Sequence, residues 1–433
     1  MRPNTSTARP RNTRGMRLTR LATTLGVALL ATATSACDKL LSVENPGRVP
    51  VDALLEPALM PALHAAALQS FQCAFTQWVS TAGMLAGEYW SANGFVNNHI
   101  WEWRGVQEIR NEPGTCAAAR GSTNMGFYAP MQRARFELDD SHERISTFTD
   151  AQVANRARLL AELRAYAGYT YVILAESMCE MTVNNGPRLT KAEVLALAES
   201  RFTDAIAAAG TANDASIRNM AYVGRARTRL DAANLTGAAA DAALVTAGFV
   251  RTAEYSETIP QRENRLYNLS VRNDFVSVAP AYRGLTLENG NPDPRVRVNN
   301  MNRVGPDNNT AVWQQQKFTG SGAVALPIAS YAEAQLILAE ASTGQAQLDA
   351  INRVRALSNI PALVPAPGAD MNAVVLEERR RQLFSEGHRY VDMLRKNLPF
   401  QSGVNRKGQS YSTLTCIPLP NVEIQNNPNF KTG

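Results

Sequence analysis

What most constrains this chain is a succession of helix-period segments between residues 150 and 245, each ended by its own cap or turn. Apolar residues three or four apart share one face of a helix. Leu159, Leu163, Tyr166, Tyr169 or Thr170, and Ile173 follow that spacing, behind an Asp150 placed to cap the helix start. Thr190 and Glu193 stand in the Thr-x-x-Glu pattern, in which each side chain satisfies the other's backbone N–H. They open a stripe of Val194, Leu197, Ala198, Phe202, Ala205 and Ile206. Two shorter segments follow, 220–230 and 237–245, with Ala221, Gly224 and Ala226 before a turn at Asn234 and Ala239 and Ala242 after it. Small residues at those places let helices approach closely, as in tetratricopeptide-type pairs, although no strict repeat of about 34 residues is present. The expected fold is mainly α: a tetratricopeptide-like helical-repeat scaffold carrying loop-rich insertions.

The flanks are less regular. Residues 51–70 read as an alanine-rich helix, 71–130 as an irregular aromatic region, and 251–328 as a loop-rich region with short strands such as 275–278. Helix returns at 330–341, then at 346–357 before Pro361, then from 371 to 395. A hydrophobic share of 45% with 19% charged residues suits a globular chain, not a disordered one.

The N-terminus carries a different signal. Residues 1–36 hold six arginines and no lysine, aspartate or glutamate, then an apolar stretch from Leu21 to about Ala33 and small residues up to Cys37. A basic start, a short apolar run and small residues before a cut are the parts of an export signal, and the run is too short to span a bilayer. Ser35-Ala36-Cys37 resembles a lipobox, so 1–36 reads as a lipoprotein signal peptide starting at Met1 or Met16. Cys37 is the expected lipidation site, 37–50 a lipid-anchored tether and 51–433 the folded domain; the simpler reading is plain cleavage near Ala36. The leader's arginines account for the whole excess of 44 Lys and Arg over 38 Asp and Glu. With no surplus positive charge beyond the leader, a nucleic-acid partner is not expected.

Four cysteines lie beyond Cys37: Cys73, Cys116, Cys179 and Cys416. In an exported chain an even number points to two disulfides with three open pairings. Cys73 with Cys116 and Cys179 with Cys416 is preferred, since the first two share one irregular region; buried free thiols are the alternative. No spacing suggests a metal site or a redox Cys-x-x-Cys, and no cofactor is expected.

Several stretches in order resemble one family. The segment Leu-Ser-Val-Glu-Asn-Pro46 follows the lipobox, and residues 158–169 resemble a helix of the form E-x-x-x-L-R-A-x-x-Y. Asp293-Pro-Arg295, the 331–341 helix with its Ala-Glu-Ala end, and Ile351-Asn-Arg-Val-Arg355 follow. The fullest match is Glu378-Arg-Arg-Arg-Gln-Leu-Phe-Ser-Glu-Gly-His-Arg389 with Asp392 and Arg395, set against E-R-R-x-E-L-x-x-E-G-x-R-x-x-D-L-x-R. Ile417-Pro418 and Asn427-Pro428-Asn429 close the chain. Together these resemble the SusD/RagB family of surface lipoproteins, in a divergent member. The resemblance implies a helical scaffold, a site at the outer membrane facing the cell surface, and a TonB-dependent SusC-like barrel as partner. It implies a nutrient-binding lid for that barrel that captures glycan or peptide and is not an enzyme.

Residue chemistry marks the ligand candidates. Trp78, Trp90, Trp101 and Trp103 fall close together with Tyr89 beside them, and flat aromatic faces stack on sugar rings. Asn93, Asn97, Asn98 and Arg104 are placed to serve hydroxyls, and Trp313 is a further candidate. Packing of these rings into the protein or against the barrel is the competing reading. Glu378, Arg379, Glu386, Arg389 and Asp392 read as a structural ion-pair motif. His388 lacks a nearby nucleophile, and a glycosidase pair such as Glu88 and Glu102 is not singled out by the sequence. The alternative function is a helical-repeat scaffold lipoprotein for protein–protein contacts in the cell envelope.

Overall fold

The computed structural model describes residues 56–116 and 125–430. Cys37, the leader and the 37–50 tether lie outside the described residues. The helices are α1 (Met60–Leu85), α2 (Val96–Trp103), α3 (Val106–Ile109), α4 (Tyr128–Ser146), α5 (Arg156–Ser177), α6 (Lys191–Thr211), α7 (Ala215–Asp231) and α8 (Leu235–Ala242). After a strand-bearing region holding α9 (Arg265–Tyr267) come α10 (Tyr331–Glu340), α11 (Gly344–Leu357), α12 (Met371–Gln382), α13 (Arg389–Arg395) and α14 (Asn421–Asn426). The fold is mainly helical, with α4 through α8 packing as successive neighbours and α10 with α11 forming a further pair.

The helix-period segments fold as expected, with shifts at their ends. Thr190 and Glu193 form the reciprocal capping box of α6. At α5 the N-cap is Asn155, and Asp150 ion-pairs with Arg156 at 3.2 Å instead. The small residues do what their spacing suggested. The Phe202 ring of α6 inserts between Gly168 of α5 and Gly224 of α7, where added Cβ atoms would lie 2.6 and 2.2 Å from it. The ring also meets Tyr169 edge-on, with centroids 5.1 Å apart.

Two segments differ from their expected form. The aromatic region starting at residue 71 is helical to Leu85, because α1 runs unbroken to that point. Every residue of α1 from Ala74 onward is buried, and a helix buried all round shows no polar face to reveal its period. The 371–395 helix is broken into α12 and α13 by a turn at 383–388, where Ser385 and Gly387 take positive φ of 64° and 85°. A Cβ on Gly387 would stand 3.0 Å from Nε1 of Trp78, so the tight turn fits against that indole. Lys317 donates to the carbonyls of Gln382 and Phe384 at 2.7 and 3.3 Å, satisfying groups freed by the break.

Cys73 is bonded to Cys116 and Cys179 to Cys416, the preferred pairing. The reason given for it does not hold, since Cys73 stands on α1. The second bridge ties the end of α5 to the C-terminal segment, where Cys179 N–H also donates to Ile417 O at 2.9 Å.

Among the described residues three two-stranded antiparallel sheets form: β1 (Tyr89–Ser91) with β3 (Val276–Val278), β2 (Val250–Ala253) with β6 (Leu326–Ser330), and β4 (Val298–Val304) with β5 (Ala311–Gln315). Ser277 links the first and last of these. Its hydroxyl donates to Ala311 O at 2.8 Å and accepts from Trp313 N–H at 2.9 Å.

Candidate ligand surface

Strand alternation decides which aromatics face outward. On β1 the side chains of Tyr89 and Ser91 are buried, so Trp90 between them turns to the other face. Trp90 pairs with Ser277 on β3, and Ser277 in turn holds Trp313 of β5. Asn300 of β4 is Trp313's cross-strand partner. Two half-buried tryptophans far apart in sequence are thereby brought to one surface.

Arg283 joins them. It follows the short turn at Pro280–Tyr282, and its Nε donates to Val278 O at 2.8 Å. That bond lays the guanidinium over both indoles, 4.9 Å from the Trp313 ring centre and 5.4 Å from that of Trp90. Arg406 lies 4.7 Å from the Trp90 ring centre and is salt-bridged to Glu102. Burial first, and the like charge of Arg406 second, push the Arg283 pKa below its ordinary value.

The other aromatic candidates do not share this surface. Trp78 is packed against Phe127 and Tyr390 in the core. Tyr89 is buried, with its hydroxyl 2.5 Å from Ser385 Oγ, and Trp101 is buried on α2. These three are core residues because each sits on an element covered by later parts of the chain. Trp103 is half-buried at the core edge, and its ring occupies the space beside Gly105. Among the polar neighbours, Arg104 is fully buried, donates to Gln401, Ser412 and Leu414, and stacks on Phe400 and Tyr411. Asn93 is buried and bonded to Phe275 O and Phe95 N–H, and Asn98 is buried as well. Arg283, which sequence reasoning missed, had no signal in its spacing; only the return of the chain from β3 brings it to the tryptophans.

The family motif of residues 378–395 is rich in ion pairs, and its Arg380 reaches the turn before Arg283, donating to Ala281 O at 3.0 Å. Glu378 accepts from Arg295 at 2.5 Å and from Arg355 at 2.8 Å. Arg379 bonds Asp392 at 2.9 Å, Arg395 bonds Asp392 at 2.9 Å, and Glu386 meets Lys317 at 2.6 Å. Arg389 differs, having no carboxylate within ion-pair distance among the described residues. His388 is buried, and burial together with Arg227, Arg379 and Lys317 holds its pKa well below the ordinary value. Of the two glutamates weighed as an acid–base pair, Glu102 is held by Arg406 and by Ser91 N–H at 2.6 Å. Glu88 accepts from Ser385 N–H at 3.2 Å, and burial raises its pKa to about 7.

Residues 164–432 match the model of the SusD family. The chain belongs to the SusD family. No curated protein sequence matches it. Among solved structures it is similar to a SusD superfamily protein from Bacteroides fragilis, with a TM-score of 0.63 at 16% identity, covering 87% of this chain and 99% of that one. A SusD-like carbohydrate-binding protein from Bacteroides vulgatus ATCC 8482 gives 0.60 at 14% identity, over 87% and 97% of the two chains. A laminarin-binding SusD-like protein gives 0.59 at 15% identity, over 85% and 98%. At these identities the likeness establishes the shared SusD fold. No helix among the described residues is long and apolar enough to cross a membrane.

Proposed function

We propose that this SusD-family chain captures an oligosaccharide on the Trp90–Trp313 surface and passes it to a membrane transporter. The observation that carries the reading is the Ser277 bridge, which brings two half-buried indoles from strands of different sheets under one arginine. Flat apolar rings bordered by a few polar groups suit sugar rings. The carbohydrate-binding and laminarin-binding proteins that share the fold support the ligand class. In this reading the chain is lipidated at Cys37 after loss of residues 1–36, sits at the outer membrane facing outward, and acts as the lid of a TonB-dependent SusC-like barrel. It binds and does not catalyse: Glu102 is engaged by Arg406, and Glu88 is buried with Ser385 N–H donating to it.

Two measurements test this. Titration of the mature protein with a panel of oligosaccharides is expected to show binding that Trp90→Ala and Trp313→Ala each weaken by roughly tenfold or more. Affinity purification of the lipidated protein from its own membranes is expected to bring down a large barrel. A protein that binds no oligosaccharide and brings down no barrel is a scaffold for envelope contacts, and the capture reading is then lost.

A further inference from the structure

We propose that the oligosaccharide taken by this surface is acidic, and that Arg283 binds its carboxylate or sulfate while neighbouring rings of the ligand lie against Trp90 and Trp313. The inference rests on the reading of the Trp90–Trp313 surface as the glycan site.

The charge pattern around the two indoles singles out Arg283. Three cations on neighbouring segments are each paired with a carboxylate. Arg406 is paired with Glu102, Lys407 with Asp307 at 2.8 Å, and Arg303 with Asp274 at 2.7 Å. Arg283 alone of these four has no carboxylate within ion-pair distance among the described residues. Its one hydrogen bond there is from Nε to Val278 O, which leaves both terminal nitrogens of the fork without a protein acceptor.

The guanidinium is also held in place before any ligand arrives. The Nε bond fixes one edge, and the two indoles, at 4.9 and 5.4 Å, fix the position of the head. A planar fork so positioned suits the two oxygens of a carboxylate or sulfate, and ordering it beforehand removes part of the entropic cost of binding. An anion would also relieve the like-charge strain that Arg406 places on Arg283.

A neutral glycan fits the arrangement less well, because it offers the fork of Arg283 no anionic acceptor. An acidic peptide could pair with the arginine but has no use for two aligned indoles. The shared chemistry of uronate and sulfate esters is the anionic group itself, so the probes must separate them.

The test titrates the mature protein with oligogalacturonates and with sulfated carrageenan oligosaccharides. Neutral cello- and laminari-oligosaccharides of matched length, and polyglutamate, complete the set. At least one acidic series is expected to bind about ten- to a hundredfold more tightly than the neutral ones, the range of a charge-assisted hydrogen-bonded pair. That preference should shrink in high salt and vanish in Arg283→Gln, while Arg283→Lys keeps part of it. Thermal melting of both variants checks that they are folded. Carboxylated against sulfated winners would name the anion. Equal affinity for neutral and acidic series, unchanged in Arg283→Gln, overturns the inference and leaves glycan capture standing. Polyglutamate outcompeting every acidic sugar also overturns it. Failure of all sugars to bind removes the glycan reading itself and this inference with it.

Discussion

Phe202 fills the space a side chain at Gly224 would need: a Cβ built there would lie 2.2 Å from ring atom Cε1. The α6–α7 contact therefore depends on a missing methyl group. Gly224→Ala should gain up to about 1 kcal/mol of helix propensity and lose about 1–3 kcal/mol to overpacking. A net loss of stability is expected, measured by urea unfolding. A more stable variant would show that the ring can shift without cost.

Trp78 and Trp313 should separate stability from binding. Trp78 is 1% exposed and wedged against Phe127, so Trp78→Ala is expected to cost about 3–5 kcal/mol of folding stability. Trp313 is half-buried on a strand, and Trp313→Ala should cost only about 1 kcal/mol while removing most oligosaccharide affinity. Unfolding curves and titrations on the same samples compare the two.

Glu88 makes stability pH-dependent in a definite direction. Burial raises its pKa from 4.5 to about 7. Below pH 4.5 folded and unfolded chains both hold the proton, and the group's full contribution is present. As pH rises toward 7 the unfolded chain ionises first, so stability falls; above about 7 the loss is complete. The change for this group is roughly 3 kcal/mol. Glu88→Gln has no charge to ionise, so its stability relative to the parent should improve between about pH 5 and pH 8. Parallel unfolding curves with no such divergence would show that Glu88 is ionised in the folded state at neutral pH.

Glu378 anchors two arginines, Arg295 and Arg355, both nearly inaccessible to solvent. Its removal leaves two buried cations with fewer partners, although Asp293 and Glu288 remain. Glu378→Ala is expected to cost about 3 kcal/mol in unfolding experiments. Where the variant folds, its oligosaccharide affinity should equal the parent's, because its partners Arg295 and Arg355 are not the arginines that lie on the two indoles. A selective loss of affinity in a stable variant would place Glu378 at the ligand instead.

Much of the scaffold was legible before any coordinates. The Thr190–Glu193 cap, the α6 stripe and the small residues near Gly224 are local patterns, and helix geometry alone turns them into structure. The density of opposite charges from Glu378 to Arg395 was readable as ion pairs, although the partners Arg295, Arg355 and Lys317 come from other segments. The α1 stretch past Phe71 escaped because its burial on all sides erased the period. The break at 383–388 escaped because Ser385 takes a positive φ that its own sequence does not demand.

The candidate site divides along the same line. The sequence by itself determined the helical scaffold and the family, and it named Trp90 and Trp313 among the aromatic candidates. It could not separate them from Trp78 and Trp101, because burial depends on what later segments cover. Only the tertiary structure decided that Ser277 would bring those two indoles together and that Arg283 would lie across them. Local patterns are set by neighbours along the chain, whereas a surface joined from β1, β3 and β5 exists only once distant strands have paired.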